Sequence, residues 1–344
     1  MKLFKLTILI ILTILFTACS QKTTIKALKP SQVHDKDIKQ IAIKNFTNDT
    51  VSLSSNIKSN MDRVYFNDKK YFKIVNRDNL DSILKEQKLQ DSGLVDISSD
   101  KSFSIAEVKS IITGTLNSKS YTKNHFTEKR TNYDKCIKYK TTKSGKKYCD
   151  KYQKYNVNCT NHSFSIDASI SINRVSNADI IYTENFTKQS VIKNCQDKNN
   201  KVPNPEAIYS DISKNIANSF VSKITPSYQY FRVTIIEDED IDYTNQEEKL
   251  LENSLKLIEL NHMEKANQLL KELVSSTKSK SSTALYNFGV TSEALGDLEL
   301  AYKSYQKAES ISMNNEINED IMFAVKRVKN SLTNRKKAMK QIKE

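Results

Sequence analysis

Tryptophan is absent from this chain, and turn-forming residues are scarce: five Gly and four Pro among 344 residues. So sparse a set calls for helices to dominate somewhere. Several chemical signatures are missing as well. There is no G-x-S-x-G, no H-E-x-x-H and no glycine loop that could cradle phosphate. The four histidines, His34, His125, His162 and His262, are scattered through polar surroundings. These absences argue against a hydrolase, a metalloenzyme or a nucleotide-dependent enzyme, so no enzyme, cofactor or metal is expected. A membrane-spanning helix is excluded at the amino terminus, where Leu6–Ala18 offers 13 residues, short of the ~20 that cross a bilayer core.

What is present is enough for two domains with real cores, at 38% hydrophobic content. The formal charge is +14, unevenly spread. From Ser118 to His162 there are 12 Lys/Arg against 3 Asp/Glu, a local net of +9. Charge is a property of that segment rather than of the fold.

The amino terminus reads as an address. Lys2 and Lys5 precede the apolar run Leu6–Phe16, and Thr17-Ala18-Cys19 follows. That is the layout of a cleavable secretory signal, residues 1–18, with the cut after Ala18. Phe16-Thr17-Ala18-Cys19 also resembles a bacterial lipobox, with Phe where Leu is usual. The resemblance implies that Cys19 becomes the first mature residue and carries fatty chains. Each buried methylene contributes ~0.8 kcal/mol, so several chains hold a protein on a membrane permanently. Ser20 rather than Asp after the cysteine implies, by the same analogy, the outer membrane, facing the periplasm. Residues 19–37 are polar with one Pro and read as a flexible tether.

Residues 38–227 read as an α/β domain. Ile38–Phe46 suits a buried strand, and Ile57, Met61 and Val64 recur at helical spacing within Ser52–Phe66. A strand at Phe72–Val75 and a helix at Asp78–Gln90, with Asp78 as N-cap, come next. This βαβα order favours parallel strands. Ile105–Ser110 suits a short helix and Ser110–Ser118 a third strand. Phe164–Val175 alternates strictly, and after the turn Ser176–Asp179 it pairs with Ile180–Gln189 as a hairpin. Ile208, Ile212, Ile216 and Phe220 mark a closing helix in Pro205–Ile224. The expected core is a mixed sheet covered by helices.

Inserted between the third strand and the hairpin is a Lys/Tyr/Cys-rich segment, residues 118–162. Besides Cys19 the chain has Cys136, Cys149, Cys159 and Cys195, and an even number in an exported protein favours disulfides. Of three connectivities, Cys136–Cys149 with Cys159–Cys195 is preferred, because Lys143-Ser144-Gly145-Lys146 can turn between the first two. A zinc site is the rival, weakened by the lack of any C-x₂-C spacing. Lysines interleaved with tyrosines would also suit nucleic acid, but an export signal argues against it. An anionic envelope polymer, lipid head groups or an acidic protein patch fit better, and a plain solvated loop is the bland reading.

Three pieces of this domain carry a more specific signal: Ile41–Phe46 (IAIKNF), Ile111–Leu116 (IITGTL) and the string Val75-x-Arg77…Leu80-x-x-Ile83-x-x-Glu86-Gln87-x-Leu89-Gln90-x-Ser92-Gly93. In this order they resemble the curli production assembly/transport family, the CsgG-like outer-membrane lipoproteins, over roughly 190 residues. The resemblance implies a non-catalytic envelope protein. Glu86 and Gln87 would suit acid–base work, but on a helix that follows a parallel-type strand structural hydrogen bonding is the better reading. In that family the region matching the insertion would supply membrane-spanning hairpins. Here Lys138, Lys140, Lys146 and Lys154 fall on one strand parity and Lys135, Lys143, Lys147 and Lys151 on the other. With ~2–4 kcal/mol per Lys at the bilayer midplane, the expectation is a chain that keeps the domain and lacks the barrel.

Residues 228–245 read as an acidic, solvated linker around Glu237–Asp242. The remainder, 246–344, is all-helical. Leu285, Phe288-Gly289, Gly296, Ala301, Tyr305 and Ala308 have the spacing of a tetratricopeptide (TPR) repeat, and Ala266 lies 35 residues before Ala301. Asn318–Glu344 suits a capping helix. The repeat's concave face would be lined by Tyr286, Val290 and Glu293 as a partner-binding surface, with a packing module as the alternative.

The function expected is that of a lipid-anchored envelope protein in assembly or secretion, working through protein partners. A regulator of a peptidoglycan synthase is the alternative, and an oligomeric secretion channel the third reading. The oligomeric state is left open.

Overall fold

The computed structural model describes residues 21–75, 108–198, 201–313 and 318–344. The signal segment, Ala18, Cys19 and the signature helix Asp78–Gln90 lie outside the described residues. The chain divides into two compact units, Gln32–Thr225 and a second that joins the segment up to Ser31 with Pro226–Glu344.

The first unit is built on a five-stranded mixed sheet of order β5-β2-β6-β7-β8. Its strands are β2 (Gln40–Ile43), β5 (Lys73–Val75), β6 (Ser110–Thr141), β7 (Lys147–Arg174) and β8 (Ile180–Cys195). β2 runs parallel to β5 and β6, and β6–β7–β8 form an antiparallel meander. A small hairpin, β3 (Tyr65–Phe66) with β4 (Lys69–Lys70), stands apart. Helix α1 (Leu53–Asp62) and helix α2 (Pro205–Ile224) pack together, and α2 lies on β7 and β8. The periodicities explain the layering. Phe164, Ile166, Ala168, Ile170 and Ile172 are all fully buried, as the inward parity of a strand requires. Ile208, Ile212, Ile216 and Phe220 meet them from α2.

Two sequence pieces that resemble the curli family come together here. Ile41, Ala42 and Ile43 pair with Ser110, Ile111 and Ile112. Just beyond, the Phe46 ring lies on Gly114 so closely that a Cβ there would sit 2.6 Å from it. Glycine is required for that approach.

The second unit contains β1 (Lys22–Lys29), β9 (Ser227–Thr234) and helices α3 (Asn245–Glu259), α4 (Met263–Ser276), α5 (Ser282–Ala294), α6 (Leu298–Ser312) and α7 (Glu319–Lys343). Consecutive helices pack on one another. Their starts are written in the sequence: Thr244 and Glu247 form a capping box, and Ser281, Asp297 and Asn318 cap α5, α6 and α7. Gly289 of α5 faces the Tyr305 ring of α6, where an added Cβ would lie 2.7 Å away.

Two boundaries differ from the sequence expectation. The stretch 19–37 is not a free tether, because Lys22–Lys29 pairs antiparallel with Ser227–Thr234 along its whole length. Thr23, Ile25 and Ala27 point inward and are buried. The stretch 228–245 is not a solvated linker either. It contains β9, and the Asp240 carboxylate then accepts from the hydroxyls of Ser281 and Ser282 at 2.6 and 2.7 Å at the start of α5. An N-terminal carboxylate both satisfies free donors and suits the helix dipole.

Candidate functional site

The Lys/Tyr/Cys-rich segment is neither a loop nor a separate insertion. It is the continuation of β6 and β7, which pair from Ser110↔Arg174 to Thr141↔Lys147 around the turn at Thr142–Lys146. β2 leaves β6 after Ile112, apart from one bridge at Thr47↔Thr115, and β8 leaves β7 at Cys159↔Cys195. Beyond Cys159 the meander is reduced to a two-stranded ribbon. Such ribbons are marginal on their own, and this one carries both disulfides. Cys136–Cys149 ties its outer part, and Cys159–Cys195 staples β7 to the end of β8. These are the two pairings the sequence favoured.

A bulge between Leu116 and Ser118 switches the parity of β6. From there Lys119, Tyr121, Lys123 and His125 share a face with Thr160, His162, Phe164 and Ile166 of β7. The base of this face is built against α2. Lys119 Nζ lies 3.0 Å from Glu206 Oε1 and 4.4 Å over the Tyr209 ring, and the Tyr209 hydroxyl donates to the Ser120 carbonyl. Tyr121 stacks on Phe164 at 4.7 Å, and its hydroxyl lies 2.7 Å from His162 Nδ1. His125 Nδ1 lies 2.9 Å from the Thr160 hydroxyl. Two of the histidines that look scattered in the sequence therefore share one face.

The opposite face has its own small core, Val157, Cys159 and Cys195 with Phe126. Glu128 beside it pairs with Arg130 and Lys193, and Arg130 also pairs with Asp197. The Lys193 hydrogen bond, helped by neighbouring cations, holds the Glu128 carboxyl below its ordinary range. An open cleft of about 1000 Å³ runs past the disulfide between Phe126, Asn158 and Asn194. Glu128, Cys159 and Cys195 lie close enough to hold an ion. Both sulfurs are in the disulfide, however, and only a thiolate ligates zinc.

Toward the tip, the side chains are exposed on both faces. Tyr133, Tyr139 and Ile137 are 75%, 65% and 58% accessible. Lys140 pairs with Asp150 at 2.7 Å. Among the described residues, Lys138, Lys147, Lys151 and Lys154 make no ion pair. The result is a cationic, tyrosine-bearing arm suited to a polyanionic surface.

The other expected surface is absent. Tyr286, Val290 and Glu293 are each no more than 1% accessible, so they line no open concave face. The Tyr286 hydroxyl donates to the Thr234 carbonyl of β9, and Asn287 bonds both the N–H and the carbonyl of Ile236. Glu293 accepts from Arg327 Nη2 of α7 at 2.8 Å and from the Tyr305 hydroxyl at 2.8 Å. The chain's own β9 and α7 cover the face that a partner was expected to use.

Comparison with known proteins adds little. No protein-family model matches the chain. No curated protein matches it either. Among the solved structures that match is a PelC dodecamer from Paraburkholderia phytofirmans, at 9% identity, covering 57% of this chain and 94% of that one, with a TM-score of 0.23. A likeness that slight decides nothing about this chain. The resemblance to the curli family rests on its sequence motifs alone.

Proposed function

We propose that this chain is a non-enzymatic, CsgG-like lipoprotein of the outer membrane, anchored through Cys19. It faces the periplasm and serves envelope assembly or secretion by gripping another envelope component with the β6–β7 ribbon. The long two-stranded ribbon carries this reading. It presents lysine and tyrosine on both faces, and two crosslinks hold it in a state that would otherwise fray. An acidic envelope protein or an anionic envelope polymer is the partner its charge suits. The helical unit supports the reading as a TPR-like brace rather than a peptide receptor, since its concave residues are occupied internally.

The test is cross-linking in intact cells from a photoreactive residue at Tyr139, followed by identification of the captured component. Capture of an acidic envelope component, lost on reversing Lys138, Lys147 and Lys151, is expected. Capture that ignores those charges would overturn the arm's role. Recovery of a cell-wall synthase would instead favour the regulator.

The ribbon's length favours a second reading. At ~3.3 Å per residue, strands that continue more than 20 residues past Ser118 exceed a hydrocarbon core of ~30 Å, as a pore-forming hairpin must. Its chemistry opposes that reading, because lysine stands on both faces of the ribbon, so whichever face met lipid would carry lysines that cost ~2–4 kcal/mol each near the midplane. The native mass of the detergent-extracted particle separates the two. A monomer or dimer fits the arm, and a ring of many subunits would establish the channel.

A further inference from the structure

Among the described residues of the second unit, the outer face of the β1–β9 ribbon is left exposed, and its position in the chain points to an occupant. Gln21 is already fixed. Its backbone N–H donates to Glu237 Oε1 at 2.7 Å, its side-chain amide donates to the Leu255 carbonyl, and its own carbonyl accepts from Ile235 at 2.8 Å. Only Ser20 separates it from Cys19. At ~3.6 Å per residue, the Gln21 Cα is within about 7 Å of the Cys19 Cα. If Cys19 is acylated, the anchor has almost no slack, and β1 starts at the level of the lipid head groups.

The face that follows has the chemistry of that level. On the inward parity, Thr23, Ile25, Ala27 and Val233 are buried in the helical core. On the outward parity, Lys22, Thr24, Lys26 and Leu28 stand opposite Thr234, Arg232, Tyr230 and Tyr228. Tyr230 and Tyr228 are 65% and 50% accessible, and Lys26 Nζ lies 3.9 Å over the Tyr228 ring. Neither strand contains an Asp or Glu. Glu237, three residues past β9, accepts from the Gln21 N–H. Tyrosines with an apolar body and a polar tip settle at the water–lipid boundary, and lysine or arginine beside them pairs with lipid phosphates.

We infer that the outward face of β1–β9, through Lys22, Lys26, Arg232, Tyr228 and Tyr230, lies flat on an anionic phospholipid surface. This inference rests on the reading of Cys19 as the anchor for its geometry, but not for its chemistry, so the two can fail separately.

The experiment uses the acylated full-length protein in vesicles of phosphatidylcholine with roughly one-third phosphatidylglycerol. An environment-sensitive dye is placed at Lys26→Cys, or for comparison at Lys307→Cys on α6. The dye at 26 is expected to shift to the blue and to be quenched by head-group spin-labelled lipid, while the dye at 307 is not. Equal, water-like emission at both positions would overturn the inference. Palmitate incorporation tests the anchor separately. Should Cys19 prove unmodified, the soluble chain is floated with the same vesicles. Binding that falls about thirty-fold for each of K22E, K26E and R232E, a change of two charges apiece, supports the face by itself. Flotation that is absent, or insensitive to these reversals while sensitive to K138E/K147E/K151E on the ribbon, overturns it.

Discussion

Glu293 shows what a single side chain can commit the second unit to. Its carboxylate is fully buried, and Arg327 and Tyr305 both donate to it. Removing one member of such a set strands the other in a medium that cannot solvate it, at roughly 3–5 kcal/mol. Glu293→Ala should therefore shift the urea midpoint of the second unit strongly, and the double variant Glu293→Leu/Arg327→Met should regain most of the loss. Gly114 is sensitive for a steric reason. An alanine Cβ would meet the Phe46 ring at 2.6 Å, and overpacking of this kind costs about 1–3 kcal/mol. Gly114→Ala should lower the melting temperature, and Gly114→Ala/Phe46→Leu should lower it less. Buried phenols add a dependence on pH. Burial pushes the Tyr243 hydroxyl from 10.0 up to about 12 and raises those of Tyr286 and Tyr305 as well. The unfolded chain ionises first, so it binds fewer protons than the fold, and stability falls as pH rises. The contribution is whole below about pH 10 and fades toward and beyond about 12. Alkaline melts followed by circular dichroism, with tyrosinate absorbance in parallel, check the direction, and Tyr243→Phe should flatten part of the slope.

Among the elements, β7 is the most instructive. Its inner half, Phe164–Ile172, was legible because one face is wholly apolar and the other polar, so hydropathy itself has a period of two. Its outer half was not, although the same strand continues. Lys147–Asn156 is polar on both faces, and the alternation there is of chemistry rather than of hydropathy. The signal that could have found the ribbon lies in its other strand, β6, where the spacing Lys119-x-Tyr121-x-Lys123-x-His125 keeps strand register across a polar run. A two-stranded extension of this kind depends on its crosslinks. Removing the Cys159–Cys195 bond as Cys159→Ser/Cys195→Ser should weaken it by roughly 2–4 kcal/mol. Amide exchange should then quicken in Phe126–Asn158 while Ile166–Ile172 stays protected. The helices were legible from Ala266, Gly289, Ala301 and Tyr305, all of which are buried, while their caps were not read. The facing of Tyr286, Val290 and Glu293 was not legible, because repeat spacing says which residues share a face but not that β9 and α7 will cover it.

The division of the whole molecule was the least legible feature. β1 has three inward positions, and one of them, Thr23, is polar, so Lys22–Lys29 resembles a tether more than a strand. Only its partner some distance along the chain gives it a place. Ile25 is fully buried in the core of the helical unit, so Ile25→Ala should cost about 2–5 kcal/mol. The damage should appear in the carboxy-terminal helices rather than in the α/β unit. Limited proteolysis that cuts first within Asn245–Lys343 is the expected result, and a first cut within Gln32–Thr225 would contradict the assignment.

The pairing of β1 with β9 also sets an order of events at birth. Gln21 and Glu237 meet across 216 residues of sequence, so the first strand to emerge has nothing to join until the α/β unit has been made. Contacts so distant in sequence form late and leave an unsatisfied edge exposed in the meantime. During synthesis, lysines along Lys22–Lys29 discourage that open edge from pairing with others. The helical unit closes only when the far end of the polypeptide arrives to complete it.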